Sequence, residues 1–264
     1  MELERLRDVA VRAAVRGGQI ILDAAGTSEA DPKGLPGDWV TEVDLASERA
    51  ISSFLARETP ELPVVGEERG GRAAERFWLV DPLDGTTNFL HGFPVVGVSV
   101  AMIADDRPLA GCVHAPFLHQ TYAAARGLGA HLSAGSAGTP RPLRVATRAP
   151  EHAIVATGFP FRRKGRLPGY LSMLAGALTR FEDLRRPGAA SLDLAWTAAG
   201  VFDGFFELGL SPWDVAAGAL LIEEAGGLVS DWQGGPGYLS GDVLAGPPAV
   251  HQALIELAGQ VGRP

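Results

Sequence analysis

Leu3, Leu6, Val9, Ala10, Ala13, Ile20 and Ile21 recur near helical spacing with arginines between them. Leu3 to Ala25 therefore predicts an amphipathic first helix, despite Gly17-Gly18. Gly26 to Asp38 is rich in Gly, Pro and Asp and reads as a loop. A second helical pattern follows Thr41-Glu42-Val43-Asp44 and runs to about Arg57, with Thr41 and Asp44 in the form of a capping box. Pro63 to Gly66 reads as a short strand ending at the acids Glu67 and Glu68. Phe77-Trp78-Leu79-Val80 is an apolar run of the buried-strand kind, and Pro82, which has no N–H and biases Asp81 away from helical angles, should end it. The chain should then turn through Asp84-Gly85, with Thr86 or Thr87 capping a following helix.

Alternating and apolar runs at Pro94 to Ile103, Leu109 to His114 and Thr121 to Ala125 predict an antiparallel meander. Gly127-Leu128-Gly129 and Gly135-Ser136-Ala137-Gly138 fit turns within it. Thr139-Pro140-Arg141-Pro142 is the candidate seam between two halves, 1–143 and 144–264. Beyond it come a strand around Ala153 to Thr157 and a basic loop, Arg162-Arg163-Lys164-Gly165-Arg166, which reads as a solvated surface turn. A helix from about Pro168 to Phe181 and a small-residue helix opened by Gly188-Ala189-Ala190 follow. Phe202 to Leu208 is a strand carrying Glu207. Ser211-Pro212-Trp213-Asp214 has the serine, proline and acid of a helix start, and Gly226-Gly227 is its natural stop. A strand at Leu228 to Ser230 and a helix from about Pro248 to Gly259 complete the chain.

Composition narrows the function. The net charge of -8 argues against a general nucleic-acid binder, which needs a basic surface, but not against a small phosphorylated substrate met by bound cations. Cys112 is the only cysteine, which rules out an intramolecular disulfide and a cysteine-based zinc site and points to a reducing cytoplasm. No run of eighteen apolar residues occurs, and the charged start Met1-Glu2-Leu3-Glu4-Arg5 lacks the form of a signal peptide. A soluble, unexported protein with no membrane partner is expected.

The candidate chemistry centres on Asp81-Pro82-Leu83-Asp84-Gly85-Thr86-Thr87-Asn88-Phe89. Two carboxylates on a stiff corner attract a hard cation, and the N–H groups of a helix start attract an anion, so the corner suits a metal-bridged phosphate. Asp-Pro and Asp-Gly pairs also build ordinary turns. By the same token Asp44 serves as a cap, and Asp214 is explained by its helix dipole. The Gly-rich turns match no nucleotide loop, and no serine sits in a nucleophile elbow. If the acids do converge, two carboxylates about 4 Å apart repel by roughly 4 kcal/mol at an effective dielectric near 20, so they must bind cations or take up protons. Oxygen ligands, with no close histidine pair, favour Mg²⁺ over zinc or copper.

Read together, Val40-Thr41-Glu42-Val43-Asp44, Gly66-Glu67-Glu68, the Asp81 corner and Trp213-Asp214-Val215-Ala216-Ala217-Gly218 resemble the inositol monophosphatase family of Mg²⁺-dependent, lithium-sensitive sugar phosphatases. Asn88-Phe89-Leu90-His91-Gly92-Phe93-Pro94 is similar to its bacterial inositol-1-phosphatase branch. The resemblance covers nearly the whole chain. It implies a layered αβαβα sandwich of the inositol monophosphatase and fructose-1,6-bisphosphatase type, with an α+β N-terminal half, an α/β C-terminal half and the site between them. It also implies two to three Mg²⁺ ions, with Glu67, Asp81, Asp84, Asp214 and the Leu83 carbonyl as ligands and Asp44 holding a third ion through water. Glu67 and Thr86 would orient the attacking water, and Gly85 and Thr86 would bind phosphate. Gly188, Ala189, Ala190 and Glu207 would line the sugar pocket, with Asp84 and Asp214 also reaching the substrate. Lys33 falls where the family often has a loop lysine, in a loop richer in Gly and Pro than usual. The implied activity is hydrolysis of myo-inositol 1-phosphate by a cytoplasmic homodimer. Fructose 1,6-bisphosphate, histidinol phosphate and nucleotide 3'-phosphates are the alternative substrates, and a non-catalytic binding or assembly protein is the alternative of another class.

Overall fold

Strand residues in this chain alternate between two apolar cores rather than between a core and water. In one strand Trp78 and Val80 face one core while Leu79 faces the other, and in the next Val98, Val100 and Met102 are separated from Ala101 and Ile103 in the same way. A sheet apolar on both faces must be covered on both, and this requirement sets the layers. The computed structural model describes residues 2–26, 29–33, 39–135, 139–161 and 163–261.

A two-stranded ribbon pairs β1 (Ala30–Pro32) with β2 (Trp39–Thr41), so part of the expected 26–38 loop is strand; residues 34–38 lie outside the described residues. The large sheet runs in the order β3 (Val64–Gly66), β4 (Arg76–Asp84), β5 (Gly97–Ala104), β6 (Arg107–Ala115), β7 (Gln120–Ala125), β8 (Ala130–Ala134) and β9 (Arg141–Pro142). Only the β3–β4 pair is parallel; the rest is the expected meander, and Arg141-Pro142 of the expected seam is its last strand. Part of the expected Gly135–Gly138 turn, residues 136–138, is outside the described residues. The smaller sheet is built from β10 (Ile154–Thr157), β11 (Asp183–Arg185), β12 (Gly204–Glu207), β13 (Leu228–Ser230) and β14 (Val243–Gly246), in the order β11-β10-β12-β14-β13.

Helices α1 (Glu2–Asp23) and α2 (Glu42–Glu58) cover the outer face of the large sheet. A short α3 (Thr86–Leu90) follows β4, and α4 (Leu167–Arg180) lies on the outer face of the small sheet. Between the sheets lie α5 (Ala190–Ala198) and α6 (Pro212–Glu224), and α7 (Pro248–Val261) joins α4 outside, completing the αβαβα order. Every residue of α6 from Val215 to Ile222 is buried, as expected for a helix apolar all round and covered on both sides. Gly17 and Gly18 are compatible with α1 because packing demands them. A Cβ on Gly17 would lie 2.6 Å from the Ser47 hydroxyl, and one on Gly18 would lie 2.4 Å from the His114 ring. Among the described residues no helix is long and apolar enough to cross a membrane.

Candidate active site

The site begins where β4 departs from the expected course. Instead of stopping at Pro82, the strand continues to Asp84 with a bulge: Asp81 pairs with Ser99 and Asp84 with Gly97, three residues against two. Proline is tolerated here because a bulge takes it out of the hydrogen-bond ladder. Its carbonyl accepts a hydrogen bond from Ser47 Oγ (2.9 Å), and Leu83 N donates to Asp81 Oδ1 (3.0 Å). The helix after the corner is capped by neither threonine. Gly85, in the left-handed region at φ +91°, is the N-cap, and Thr86 is the first helical residue. The Thr86 hydroxyl therefore serves elsewhere: it lies 3.1 Å from Asp44 Oδ1 and 3.3 Å from the Leu83 carbonyl.

Asp44 is both a cap and a member of this constellation. Its Oδ2 accepts from Thr41 N (2.8 Å) and from the Thr41 hydroxyl, which closes the capping box and leaves Oδ1 for Thr86. Burial raises its carboxyl above the ordinary range, against the lowering effect of the Thr41 hydrogen bonds. Asp214 has the same economy: it accepts from Ser211 N (2.8 Å) at the start of α6 and still faces the acids of the large sheet.

One carboxylate oxygen each from Glu67, Asp81 and Asp214 lies within 4.8 Å of the others. Glu67 follows β3, Asp81 is 1 % exposed on β4, and Asp214 is in the first turn of α6, so three separate elements converge. Burial, reinforced by Glu67, Asp84 and Asp214, holds the Asp81 carboxyl well above its ordinary range. Burial, with Asp84 and Glu67, pushes Asp214 up to about 7, and Asp81 and Asp214 are hydrogen-bonded to each other. Without a cation such a pair must share a proton.

Asp84 faces the same acids, and its Oδ2 accepts from both the backbone N (2.7 Å) and the hydroxyl (2.6 Å) of Ser191 on α5. Glu67 is aimed by Glu48 of α2, whose carboxylate accepts from Glu68 N (2.7 Å) and Arg69 N (3.0 Å). Lys33 lies beside them, 2.9 Å from Glu67 Oε1 and also bonded to Glu68. Burial opposes the Lys33 charge, but Glu67 and Glu68 outweigh it and raise the ammonium above the ordinary lysine range. Burial is also the main reason that Glu68 is pushed up to about 7.

A cavity of about 580 Å³ opens over this floor. Glu67, Asp81, Leu83, Asp84, Gly85, Thr86, Gly188, Ala190, Glu207 and Asp214 all line it. Asp44 is behind Thr86 and 1 % exposed, and the Ala189 side chain is packed in the core between the sheets rather than on the wall. The turn expected to be solvated at 162–166 is exposed at residues 163–165, but it also borders the cavity. Arg163 and Lys164 line the cavity, and Arg166 grips Asp242 with both arms (2.6 Å each), which anchors the loop at the mouth. Arg162 is outside the described residues. Sequence reasoning missed Ser191, Glu48 and Arg186. Glu48 alone carried a signal, four residues after Asp44 and thus on the same helix face.

The donor set fits a hard divalent cation. The three converging groups are all carboxylates, Asp81 is buried and the other two half-buried, and burial with the neighbouring acids holds Asp81 and Asp214 toward protonation, so an oxygen-seeking cation relieves the cost. Comparisons with known proteins agree. The model of the inositol monophosphatase family matches residues 2–263. The chain is 42% identical to the Nus factor SuhB of Pseudomonas aeruginosa over 268 residues, covering 96% of this chain and 95% of that protein. Among solved structures, the extragenic suppressor protein suhB of Bartonella henselae superimposes with a TM-score of 0.89 at 34% identity, covering 96% of this chain and 98% of the other. The inositol monophosphatase of Anabaena (Nostoc) sp. PCC 7120 gives a TM-score of 0.86 at 31% identity over 99% and 98% of the two chains. Sequence and fold thus agree from end to end, and the chain belongs to the inositol monophosphatase family of phosphomonoesterases.

Proposed function

We propose that the protein hydrolyses the phosphomonoester of a small polyol, with myo-inositol 1-phosphate as the leading substrate and Mg²⁺ as the cofactor. The observation that carries this reading is the convergence of Glu67, Asp81 and Asp214 next to the Thr86–Asp44 hydrogen bond. Glu67, Asp81, Asp84, Asp214 and the Leu83 carbonyl would hold two Mg²⁺ ions, with Asp44 helping a third through water. When bound, Mg²⁺ makes a water acidic enough to attack phosphorus and offsets negative charge on the leaving oxygen.

The chain's own residues do the rest. Thr86 donates its proton toward Asp44, which leaves its oxygen lone pairs to accept from the attacking water and so to orient it. As the water attacks, its proton moves toward Thr86 Oγ1 and the threonine proton toward the Asp44 carboxylate, with Glu67 as a second acceptor nearby. The backbone N–H groups of Gly85 and Thr86, at the start of α3, have no partner within the helix and would receive phosphate oxygens. Ser191 fixes Asp84, and Glu48 fixes the turn carrying Glu67, so the acids need not reorganise during the reaction. Glu207 would accept hydrogen bonds from the polyol, beside Gly188 and Ala190. No covalent phospho-enzyme is needed. Fructose 1,6-bisphosphate, histidinol phosphate and nucleotide 3'-phosphates are the rival substrates.

The family likeness supports a cytoplasmic homodimer and inhibition by lithium ions. The relative's name, Nus factor, supports a second reading, in which the same fold also acts as a binding or assembly protein without turnover. The test is phosphate release from a panel of sugar and alcohol phosphates, with Mg²⁺, with excess EDTA and with millimolar Li⁺. Hydrolysis of myo-inositol 1-phosphate that EDTA abolishes and Li⁺ reduces is expected. Full turnover in EDTA would contradict the metal-assisted mechanism, and no turnover of any monoester would favour the binding reading.

A further inference from the structure

Four of the five tryptophans, Trp78, Trp196, Trp213 and Trp232, belong to the apolar cores or pack against them. Trp39 joins none of these clusters. It is half-buried at the start of β2 and lines the active-site cavity with Glu67, Thr86 and Thr87. Among the described residues its ring meets no other aromatic ring and no cation, and its indole N–H has no acceptor. The other two aromatic residues on the wall, Phe159 and Phe161, are engaged: the Arg186 guanidinium lies 5.4 Å from both ring centroids. An indole offers a broad apolar face and one N–H donor, which suits a ligand that carries both C–H and hydroxyl surface.

The ribbon that carries Trp39 is tied to the acidic floor through both of its strands. Lys33, directly after β1, is 2.9 Å from Glu67 Oε1. Thr41, two residues beyond Trp39 and so on the same face of β2, donates its backbone N–H to Asp44 Oδ2 (2.8 Å). Trp39 enters the cavity from this ribbon, whereas Glu207 enters from the small sheet and Gly188 and Ala190 from the loop and helix beside it.

We propose that Trp39 is a specificity-determining residue: its ring packs against the C–H face of a cyclic polyol whose phosphate is held at the Gly85 and Thr86 amides, and it thereby selects a ring over an open-chain alcohol. The assignment rests on the phosphatase reading above and narrows its substrate class to phosphomonoesters of cyclic polyols. A flat apolar face gains most from a ring that presents its C–H groups together. An open chain presents fewer of them and loses more rotational freedom on contact.

Initial rates with Mg²⁺ on myo-inositol 1-phosphate and on glycerol 3-phosphate test this, since each carries one phosphate. The wild type should give the higher kcat/KM on the cyclic compound. In Trp39→Ala the ratio of the two kcat/KM values should fall roughly tenfold, the scale of a lost aromatic contact, and Trp39→Phe, which keeps an aromatic face, should recover most of it. A ratio unchanged in Trp39→Ala overturns the proposal, whether both values hold or both fall together; in the second case Trp39 only supports the ribbon. A Trp39→Phe ratio no better than that of Trp39→Ala overturns it as well. If the wild type cleaves neither compound, the phosphatase reading fails instead, and tryptophan fluorescence decides the contact. Addition of myo-inositol 1-phosphate with Mg²⁺ should change the wild-type emission, and the change should be absent from Trp39→Phe. No change in the wild type, or the same change in both proteins, overturns the proposal.

Discussion

Asp81 and Asp231 occupy similar local sequence. Each lies on or next to a strand and is followed within a few residues by proline and glycine, Asp81-Pro82-Leu83-Asp84-Gly85 in one case and Asp231-Trp232-Gln233-Gly234-Gly235-Pro236-Gly237 in the other. Their surroundings differ in kind. Asp231 accepts hydrogen bonds from the amides of Gln233 (2.9 Å), Gly235 (2.8 Å) and Gly237 (3.2 Å), so its carboxylate is partnered by the turn it organises. Asp81 receives one amide, that of Leu83, and faces Glu67, Asp84 and Asp214. A carboxylate surrounded by amides builds a turn and stabilises the fold. One surrounded by carboxylates destabilises the fold until a cation or proton arrives, which is a cost that only function explains.

The largest break in this comparison comes from neutralising Asp81. Asp81→Asn is expected to lower kcat by on the order of 10³ while leaving the metal-free protein as stable as the wild type or more so, because like-charge repulsion is relieved. Steady-state rates and chemical denaturation in EDTA check both halves; a metal-free variant of much lower stability would make Asp81 a structural residue. Next in size is Thr86→Ala. It removes a hydroxyl but keeps the backbone N–H, so kcat should fall by roughly two to three orders of magnitude with little change in KM. An unaltered kcat would leave the Thr86–Asp44 bond without a catalytic role.

Smaller again is Glu48→Gln, which weakens the hold on the Glu68 and Arg69 amides and so loosens Glu67. The Mg²⁺ concentration giving half-maximal rate should rise about 10- to 100-fold, the scale seen when partners of metal ligands are removed. An Mg²⁺ titration that superimposes on the wild type would disconnect Glu48 from the site. At the far turn Asp231→Ala should cost about 1–3 kcal/mol of stability by orphaning amides, with the Mg²⁺-dependent rate unchanged. Loss of rate without loss of stability would erase the contrast between the turns.

The layers and the main motifs were legible because they depend on local pattern. Apolar runs located β4 through β7, and Ser211-Pro212-Trp213-Asp214 marked the start of α6. Pro82 misled because the rule that proline stops a strand is local, whereas the bulge that accommodates it depends on the partner strand β5. Gly85 rather than a threonine caps α3 because Thr86 has a tertiary partner, Asp44, forty-two residues away. Ser191 and Arg186 carried no local signal, since their roles come from the approach of α5 and its preceding loop to the corner. The short strand β14 passed unnoticed because four apolar residues before Pro247-Pro248 lack a period to read.

The central claim is that Asp214 belongs to a cation site, and thermal melts of wild type and Asp214→Asn across a Mg²⁺ titration, beside initial rates, test it most directly. In the wild type without metal, burial and neighbouring acids raise Asp214 to about 7. A raised carboxyl contributes stability that is fully present below its unfolded-state pKa and is lost as pH rises through its folded-state value. The metal-free Tm should therefore fall as pH rises from about 4 through about 7, and less so in the variant. At higher pH, saturating Mg²⁺ should restore the wild-type Tm through linkage, by about 2.7 kcal/mol at a hundred times Kd. Asp214→Asn should show a much smaller Mg²⁺ shift and almost no activity. A variant that keeps both its rate and the full Mg²⁺-induced rise in Tm would contradict the account.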